Sequence, residues 1–183
     1  MWCGIRWCKE LSTPTSSMKN RGKASEFAEA FAHTKTKLKL VVQYATGTTT
    51  HAAEVPTRPQ FRKWVKAALT RNAEIVLRIV DEAEARDLNR NFRGKDYATN
   101  VLTFVYGDAQ PLSGDIVLCA TVVEKEAKQQ HKNLTAHYAH LTVHGVLHLQ
   151  GWNHENETDA VAMERLETAI VTKLGYDDPY KEQ

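Results

Sequence analysis

The spacing of apolar residues predicts an alternation of strands and helices that begins near residue 37. Four β-rich runs bounded by polar or glycine-containing turns are typical of strands, at residues 38–44, 73–80, 100–106 and 114–120. Helical spacing predicts a helix that starts after Thr57, with Pro59 in its first turn, and two more at residues 82–89 and 122–131. A long helix capped by Thr135 and a last helix at residues 158–173, ended by Gly175, complete the pattern.

These elements predict one α+β domain over residues 37–183, with a small mixed β-sheet packed by helices. Residues 1–36 are an extension of different composition, rich in Ser, Thr, Lys and Arg. Three interpretations of the extension compete: a disordered tail, an organelle-targeting peptide, or a translation start placed too early, with Met18 as the true start. Its glutamates fit poorly with a transit peptide, so the tail or the misplaced start is favoured.

Composition narrows the class of protein. A chain of 183 residues is long enough for one sizeable core, and its net charge of +2 does not by itself indicate a nucleic-acid binder. No apolar run approaches the ~20 residues needed to span a membrane, so we expect no membrane partner. The three cysteines, Cys3, Cys8 and Cys119, lack CxxC spacing, which favours a reducing setting; we expect a cytoplasmic protein, with an organelle matrix as the alternative.

The most informative segment is the run from residue 144 to residue 154, HGVLHLQGWNH. His144 and His148 are four residues apart, so a helix places them on one face, one turn from each other. Gly151 can end that helix in the left-handed conformation, and His154 can then return with a third nitrogen. Three protein ligands with one open position are typical of a catalytic metal, and imidazole favours zinc.

The spacing equals that of the metzincin proteases, but Gly145 stands where those enzymes carry their general-base glutamate. The pattern therefore predicts a metal site without peptide hydrolysis by the usual mechanism. His140 lies about 12 Å along the helix axis from His148, too far to share the ion, and we expect it in the core or supporting the ligands. His131 and His137 are interpreted as surface residues.

A metal-bound hydrolase without that glutamate can act on a phosphodiester, provided that cations meet the phosphate charge. The polar segment at residues 89–96, interpreted as a loop, offers them. Arg93 supplies a planar fork of donors suited to phosphate oxygens, and Arg90 and Lys95 flank it.

Four segments together closely resemble the YbeY family of single-strand-specific endoribonucleases. They are LNRNFRGKD at 88–96, TNVLTF at 99–104, GDI at 114–116 and HGVLHLQGWNH at 144–154. The resemblance covers residues 38–180. It implies one zinc ion held by His144, His148 and His154, and Arg93 facing the metal in the active cleft. It also implies single-stranded RNA as the substrate, in maturation of ribosomal RNA, including the 3′ end of 16S rRNA, and in ribosome quality control.

Some details depart from the commonest form of the motif or stay open. Asn153 stands where an aspartate is usual, and Thr103 where a serine is frequent, but neither is a ligand position. Asp115 is a candidate to hydrogen-bond a ligand histidine, although capping a turn is the favoured interpretation. The basic outer face of the first helix is interpreted as solvated, with contact to ribosomal RNA as the alternative; its residues are Arg58, Arg62, Lys63, Lys66 and Arg71.

Two other functions remain as alternatives. The first is a ribosome-assembly factor that binds rRNA or a ribosomal protein, with a mainly structural metal. The second is a metallohydrolase of peptides or small amides, which Gly145 disfavours. The general acid and base, the RNA cleavage site and the oligomeric state are not predicted by the sequence.

Overall fold

The computed structural model describes residues 36–45, 55–107, 110–154 and 156–181. Within them lie four strands: β1 (Leu38–Tyr44), β2 (Ala73–Val80), β3 (Val101–Val105) and β4 (Leu112–Cys119). The five helices of this part are α1 (Arg58–Ala68), α2 (Glu82–Arg93), α3 (Ala120–Gln129), α4 (Leu134–Leu149) and α5 (Glu157–Lys173). The predicted α+β fold is confirmed. Of the predicted extension, residues 1–36, all but residue 36 lie outside the described residues, and its interpretation stays a prediction.

The sheet is mixed, in the order β1-β2-β4-β3. Strands β1, β2 and β4 are parallel, and β3 is an antiparallel edge strand. The larger core lies between the sheet and helices α1, α4 and α5. A smaller cluster, built around Leu102, Val117 and Ala85, packs α2 against the opposite face. No helix in the described residues is long and apolar enough to cross a membrane.

Helix α4 is buried on nearly all sides, with only its first three residues partly exposed. Its start differs from the prediction, because Asn133, not Thr135, is the N-cap: its side chain accepts a hydrogen bond from the Ala136 amide at 3.1 Å. Asparagine is among the strongest N-capping residues, which explains the earlier start. A helix enclosed in this way fixes the positions of the side chains it carries.

Helix α2 is four residues longer than predicted. Asp81 caps its start, accepting from the Glu84 amide at 2.9 Å, and Gly94 ends it in the left-handed conformation with φ of 67°. The interpretation of residues 89–96 as a loop was therefore wrong for residues 89–93. Arg93 is the last residue of a regular helix, and this gives its backbone a fixed position beside β3.

Candidate metal centre

The structure brings the three predicted ligand histidines together. Helix α4 places His144 and His148 one turn apart, with their Nε2 atoms 3.0 Å from each other. The ring of His154 lies 5.6 Å from that of His144 and 5.0 Å from that of His148, measured between ring centroids. One nitrogen from each ring falls within 4.8 Å of the others.

The turn after α4 returns the chain so that His154 can reach the other two. Gly151 takes φ of 80°, as predicted for the end of this helix, and its amide donates to the His148 carbonyl at 2.9 Å. The Trp152 amide donates to Leu147 at 3.1 Å, and the indole is buried. These bonds and the buried indole fix the turn to the end of α4 just before His154, whose own side chain is only partly buried.

Hydrogen bonding leaves the histidine lone pairs directed at the centre. His144 Nδ1 lies 2.8 Å from Glu167 Oε1, and a carboxylate can only accept, so the ring proton is on Nδ1 and Nε2 is a free acceptor. Burial, and the proximity of His144 and His154, hold the pKa of His148 well below its ordinary value. At His148 this favours the neutral imidazole, the form that binds a metal.

The donor set fits zinc. Three imidazole nitrogens converge, two from a buried helix and one from a partly exposed loop, and this leaves a side of the cluster for a water molecule or a substrate. Imidazole ligands with an orienting carboxylate are typical of zinc sites. The identity of the ion stays a prediction.

Glu167 of α5 is the carboxylate that supports the ligands, and the sequence analysis did not find it. Its side chain is buried, and its second oxygen lies 2.6 Å from His140 Nε2 and accepts from the Tyr180 hydroxyl. Burial alone would raise its pKa, but the proximity of His144 and the hydrogen bonds from both histidines hold it far below the ordinary value. A buried carboxylate with three donors fixes the orientation of the rings around it.

Asp115 does not take this role. Its carboxylate accepts from the Tyr106 hydroxyl at 2.6 Å, and this bond, with burial, raises the pKa of Tyr106 to about 12. A signal for Glu167 existed in the sequence: in the last predicted helix it lies at helical spacing from Met163 and Ile170, both of which are buried. A single acidic residue at a core position requires a buried partner.

The predictions for His140 and His131 are correct, and the prediction for His137 is wrong. His140 is buried and hydrogen-bonds Glu167, as expected of a supporting residue, and His131 is exposed. His137 is not a surface residue: it is buried, with Nε2 3.0 Å from Glu126, whose carboxylate also accepts from Asn100. The error follows from the burial of α4 on almost every side, which a single-helix pattern does not reveal.

Arg93 is half-buried at the end of α2. The preceding Phe92 packs edge-on against Phe104 of β3, with ring centroids 5.0 Å apart. Strand β3 also contacts α4, and a Cβ on Gly114 of the neighbouring strand would collide with both the Phe104 carbonyl and the Leu149 side chain. Arg93 is thus held beside the strand that packs against the histidine-bearing helix. Its contact with a substrate stays a prediction.

Gly145, which stands where metzincins carry their glutamate, packs against the sheet. A Cβ at this position would lie 3.0 to 3.4 Å from three atoms of the Ile116 side chain on β4. A larger residue here would require the Ile116 side chain to shift by a few tenths of an ångström, and its side chain would point at Ile116. The position that carries the general base in metzincins is therefore a packing position in this protein.

Replacing Glu167 with glutamine is expected to weaken zinc binding about 10- to 100-fold, the usual effect of losing a residue that orients a metal ligand. Glutamine keeps an oxygen for His144 Nδ1, but its amide hydrogens face the donors on His140 and Tyr180. Competition with a chromogenic zinc chelator measures the affinity. Glu164→Gln, one turn earlier on α5 and partly buried, is the matched control and should bind zinc like the unmodified protein. Equal affinities in the two variants would contradict this role for Glu167.

Taken together, the fold and the site define an α+β domain with a zincin-like helix that carries two of three converging histidines. A family model described as endoribonuclease YbeY matches residues 44–175. The chain belongs to the YbeY endoribonuclease family, which confirms the resemblance and the predicted class of enzyme.

Curated relatives support this membership. A protein named endoribonuclease YbeY from Nitrosomonas europaea is 62% identical over 144 residues, which cover 79% of this chain and 85% of the relative. Another from Nitrosomonas eutropha is 62% identical over 141 residues, covering 77% of this chain and 97% of the relative.

The solution structure of a Thermotoga maritima protein aligns with a TM-score of 0.47 and 22% identity, covering 78% of this chain and 99% of that one.

Proposed function

We propose that this protein is a zinc-dependent endoribonuclease that cuts single-stranded RNA in ribosomal RNA maturation, including the 3′ end of 16S rRNA, and in ribosome quality control. The observation that carries the proposal is the convergence of His144, His148 and His154 in a chain whose relatives are named endoribonucleases. The proposed setting is the cytoplasm, with the ribosome or its proteins as partners.

The roles of the residues follow from their chemistry. His144, His148 and His154 would hold the ion, and a bound zinc would supply a lowered pKa for a water molecule and Lewis acidity toward a phosphoryl oxygen. Arg93 would bind the non-bridging phosphate oxygens, where negative charge increases in the transition state. Glu167 keeps the His144 proton on Nδ1, so that Nε2 remains available.

The nucleophile is one of two. Attack by water yields a 5′-phosphate or 3′-phosphate end without a cyclic product, whereas attack by the neighbouring 2′-hydroxyl yields a 2′,3′-cyclic phosphate. An oligonucleotide with a single deoxy sugar at the cleaved position separates them. Equal cleavage of this substrate excludes the 2′-hydroxyl route, and complete resistance supports it.

Chelation and reconstitution test the proposal against a structural metal. The protein is depleted of metal and reloaded with zinc, and the cleavage of matched single-stranded and duplex RNA is measured with the melting temperature. We expect cleavage only of the single strand and only after zinc is restored. The metal-depleted protein should be inactive but still folded at the assay temperature. If the folded, zinc-loaded protein cuts neither RNA, the assembly-factor alternative replaces this proposal.

A further inference from the structure

The side of α1 that faces away from the core carries only basic charge. The opposite side of the helix is fully buried, through Phe61, Trp64, Val65 and Ala68. The outward side exposes four cations, and the helix contains no Asp or Glu. We call these residues the basic face: Arg58, Arg62, Lys63 and Lys66.

The cations of the basic face lie together on one helix without a neutralising carboxylate among the described residues. Exposed cations elsewhere include several that are paired with acidic neighbours, such as Arg86 with Asp96 and Arg90 with Asp87, each at 2.7 Å. Within the part of the chain that the structure describes, no ion pair is formed by any residue of the basic face. Since the whole chain has a net charge of only +2, four cations on one helix are a strong local concentration of positive charge.

Two of these side chains are held in place by their surroundings. The Arg58 guanidinium carbon lies 5.9 Å from the centre of the Tyr44 ring, and Arg62 donates to the Leu38 carbonyl at 3.3 Å. A side chain that is already ordered loses less conformational entropy when it binds a partner. The basic face is therefore partly preorganised.

The helix that carries the basic face ends beside the metal centre. From Arg58 to Lys66 the basic face extends about 12 Å along the helix axis. Beyond it, Gln150 donates to the Ala68 carbonyl at 2.7 Å and accepts from the Thr70 amide at 2.9 Å. Gln150 lies in the turn between His148 and His154, so the end of α1 is attached directly to the turn that positions the third ligand.

We propose that the basic face binds the phosphate backbone of single-stranded RNA that flanks the cleaved bond. This inference rests on the proposed function and adds a second contact surface to it. Residues 58, 62 and 66 repeat every helical turn, which suits a polyanion with regularly repeated charges. A strand bound there is directed along α1 to the turn that carries His154.

Two other partners fit less well. An interfacial membrane helix inserts its apolar side into the lipid, but the apolar side of α1 is fully buried in the core. An acidic protein surface would usually be met by aromatic residues and arginine, whereas lysine is depleted at protein interfaces. The exposed side of α1 has no aromatic residue, because only Thr57 and Pro59 accompany the cations there.

The test compares two triple variants with equal loss of charge. Arg62, Lys63 and Lys66 are replaced by glutamine, a good helix former, in the first. The control carries glutamine at three exposed positions of other helices, Lys125, Arg165 and Lys173. Binding of a labelled, long single-stranded RNA is followed by fluorescence anisotropy with the metal chelated, so that it does not depend on cleavage.

In the basic-face variant, the loss of three phosphate contacts is expected to make the plot of log affinity against log salt less steep, by about 2 in slope. Between about 50 and 200 mM salt, the control should then lose about 20-fold more affinity than the basic-face variant. With zinc restored, the ratio of kcat/KM for the long strand to that for a trinucleotide should fall for the basic-face variant only.

Equal salt slopes in the two variants would overturn the proposal. A second result would also overturn it. In that result, polyglutamate or phosphatidylserine vesicles bind the unmodified protein as tightly as RNA does, and this binding is lost in the basic-face variant. Because binding is read without metal, absence of cleavage in every sample would count against the proposed function and leave the binding result intact.

Discussion

Replacing His154 with alanine is expected to abolish zinc-dependent RNA cleavage while leaving the fold intact. His154 lies in a loop and is only partly buried, so its loss opens no cavity in the core, unlike the loss of His144 or His148. Lewis-acid stabilisation by a catalytic metal is worth several kcal/mol, and about 4 kcal/mol corresponds to about a 1000-fold decrease in rate. We expect a decrease of at least about that size.

Two further measurements, thermal stability and metal content, connect the loss of cleavage to the metal. At a zinc concentration of about 100 times its dissociation constant, the unmodified protein should gain about 2.7 kcal/mol of stability, and its melting temperature should rise by about 5–10 °C. The variant should show no rise, and its metal-free melting temperature should match that of the unmodified metal-free protein. Metal analysis by mass spectrometry should find no bound zinc.

His131 offers the matched control, because it is an exposed histidine of the described residues. Its φ of 52° is in the left-handed region, where alanine is strained and asparagine is tolerated, so His131→Asn is the appropriate change. This variant should keep the zinc stoichiometry and the cleavage rate. If His154→Ala kept both as well, the three-histidine centre would be wrong.

Local sequence patterns predicted most of the fold because each strand and helix has its own start and stop signals. The bounds of β1 and β2 agree with the prediction, and for β2 the apolar run ends sharply at Asn72 and Asp81. The end of α2 was missed because residues 89–93 are almost entirely polar and show no apolar period. Only the left-handed Gly94 marks where that helix stops.

The centre was predictable only where its residues are close in the sequence. The three histidines fall within eleven residues, and one helical turn followed by the Gly151 turn is sufficient to bring them together. Glu167 is 23 residues from His144, on another helix, and their contact depends on how α4 and α5 pack. The burial of His137 likewise depends on tertiary packing, because its partner Glu126 belongs to α3.

The buried carboxylate has a thermodynamic consequence for the metal. The pKa of His140 is lowered, mainly by burial, so this ring donates a hydrogen bond to Glu167 as a neutral group. From His140 the negative charge of Glu167 therefore receives a hydrogen bond rather than a positive charge, and burial of an incompletely compensated charge is costly. A dication on His144 would add that compensation, which couples metal binding to stability.

Replacing Arg93 with alanine is expected to reduce kcat/KM for RNA by about 100-fold or more, the usual effect of removing one donor to a transition-state oxyanion. Arginine offers two parallel donors to a phosphate, whereas lysine offers a point charge, so Arg93→Lys should recover only part of the activity. Cleavage kinetics, zinc affinity and melting temperature are measured for each variant. Zinc affinity should not change, because Arg93 is not a ligand.

Stability should change little in Arg93→Ala. A cation in the last turn of a helix contributes about 0.3–1 kcal/mol through the helix dipole, and alanine is the best helix former. Arg90→Ala is the matched control: it removes the same charge from the same turn, but Arg90 is exposed and paired with Asp87. If Arg90→Ala reduced cleavage as much as Arg93→Ala, the effect would come from general electrostatic attraction of RNA. A large loss confined to Arg93, at unchanged stability and zinc affinity, requires a group that acts on the phosphate and excludes a metal whose role is only structural.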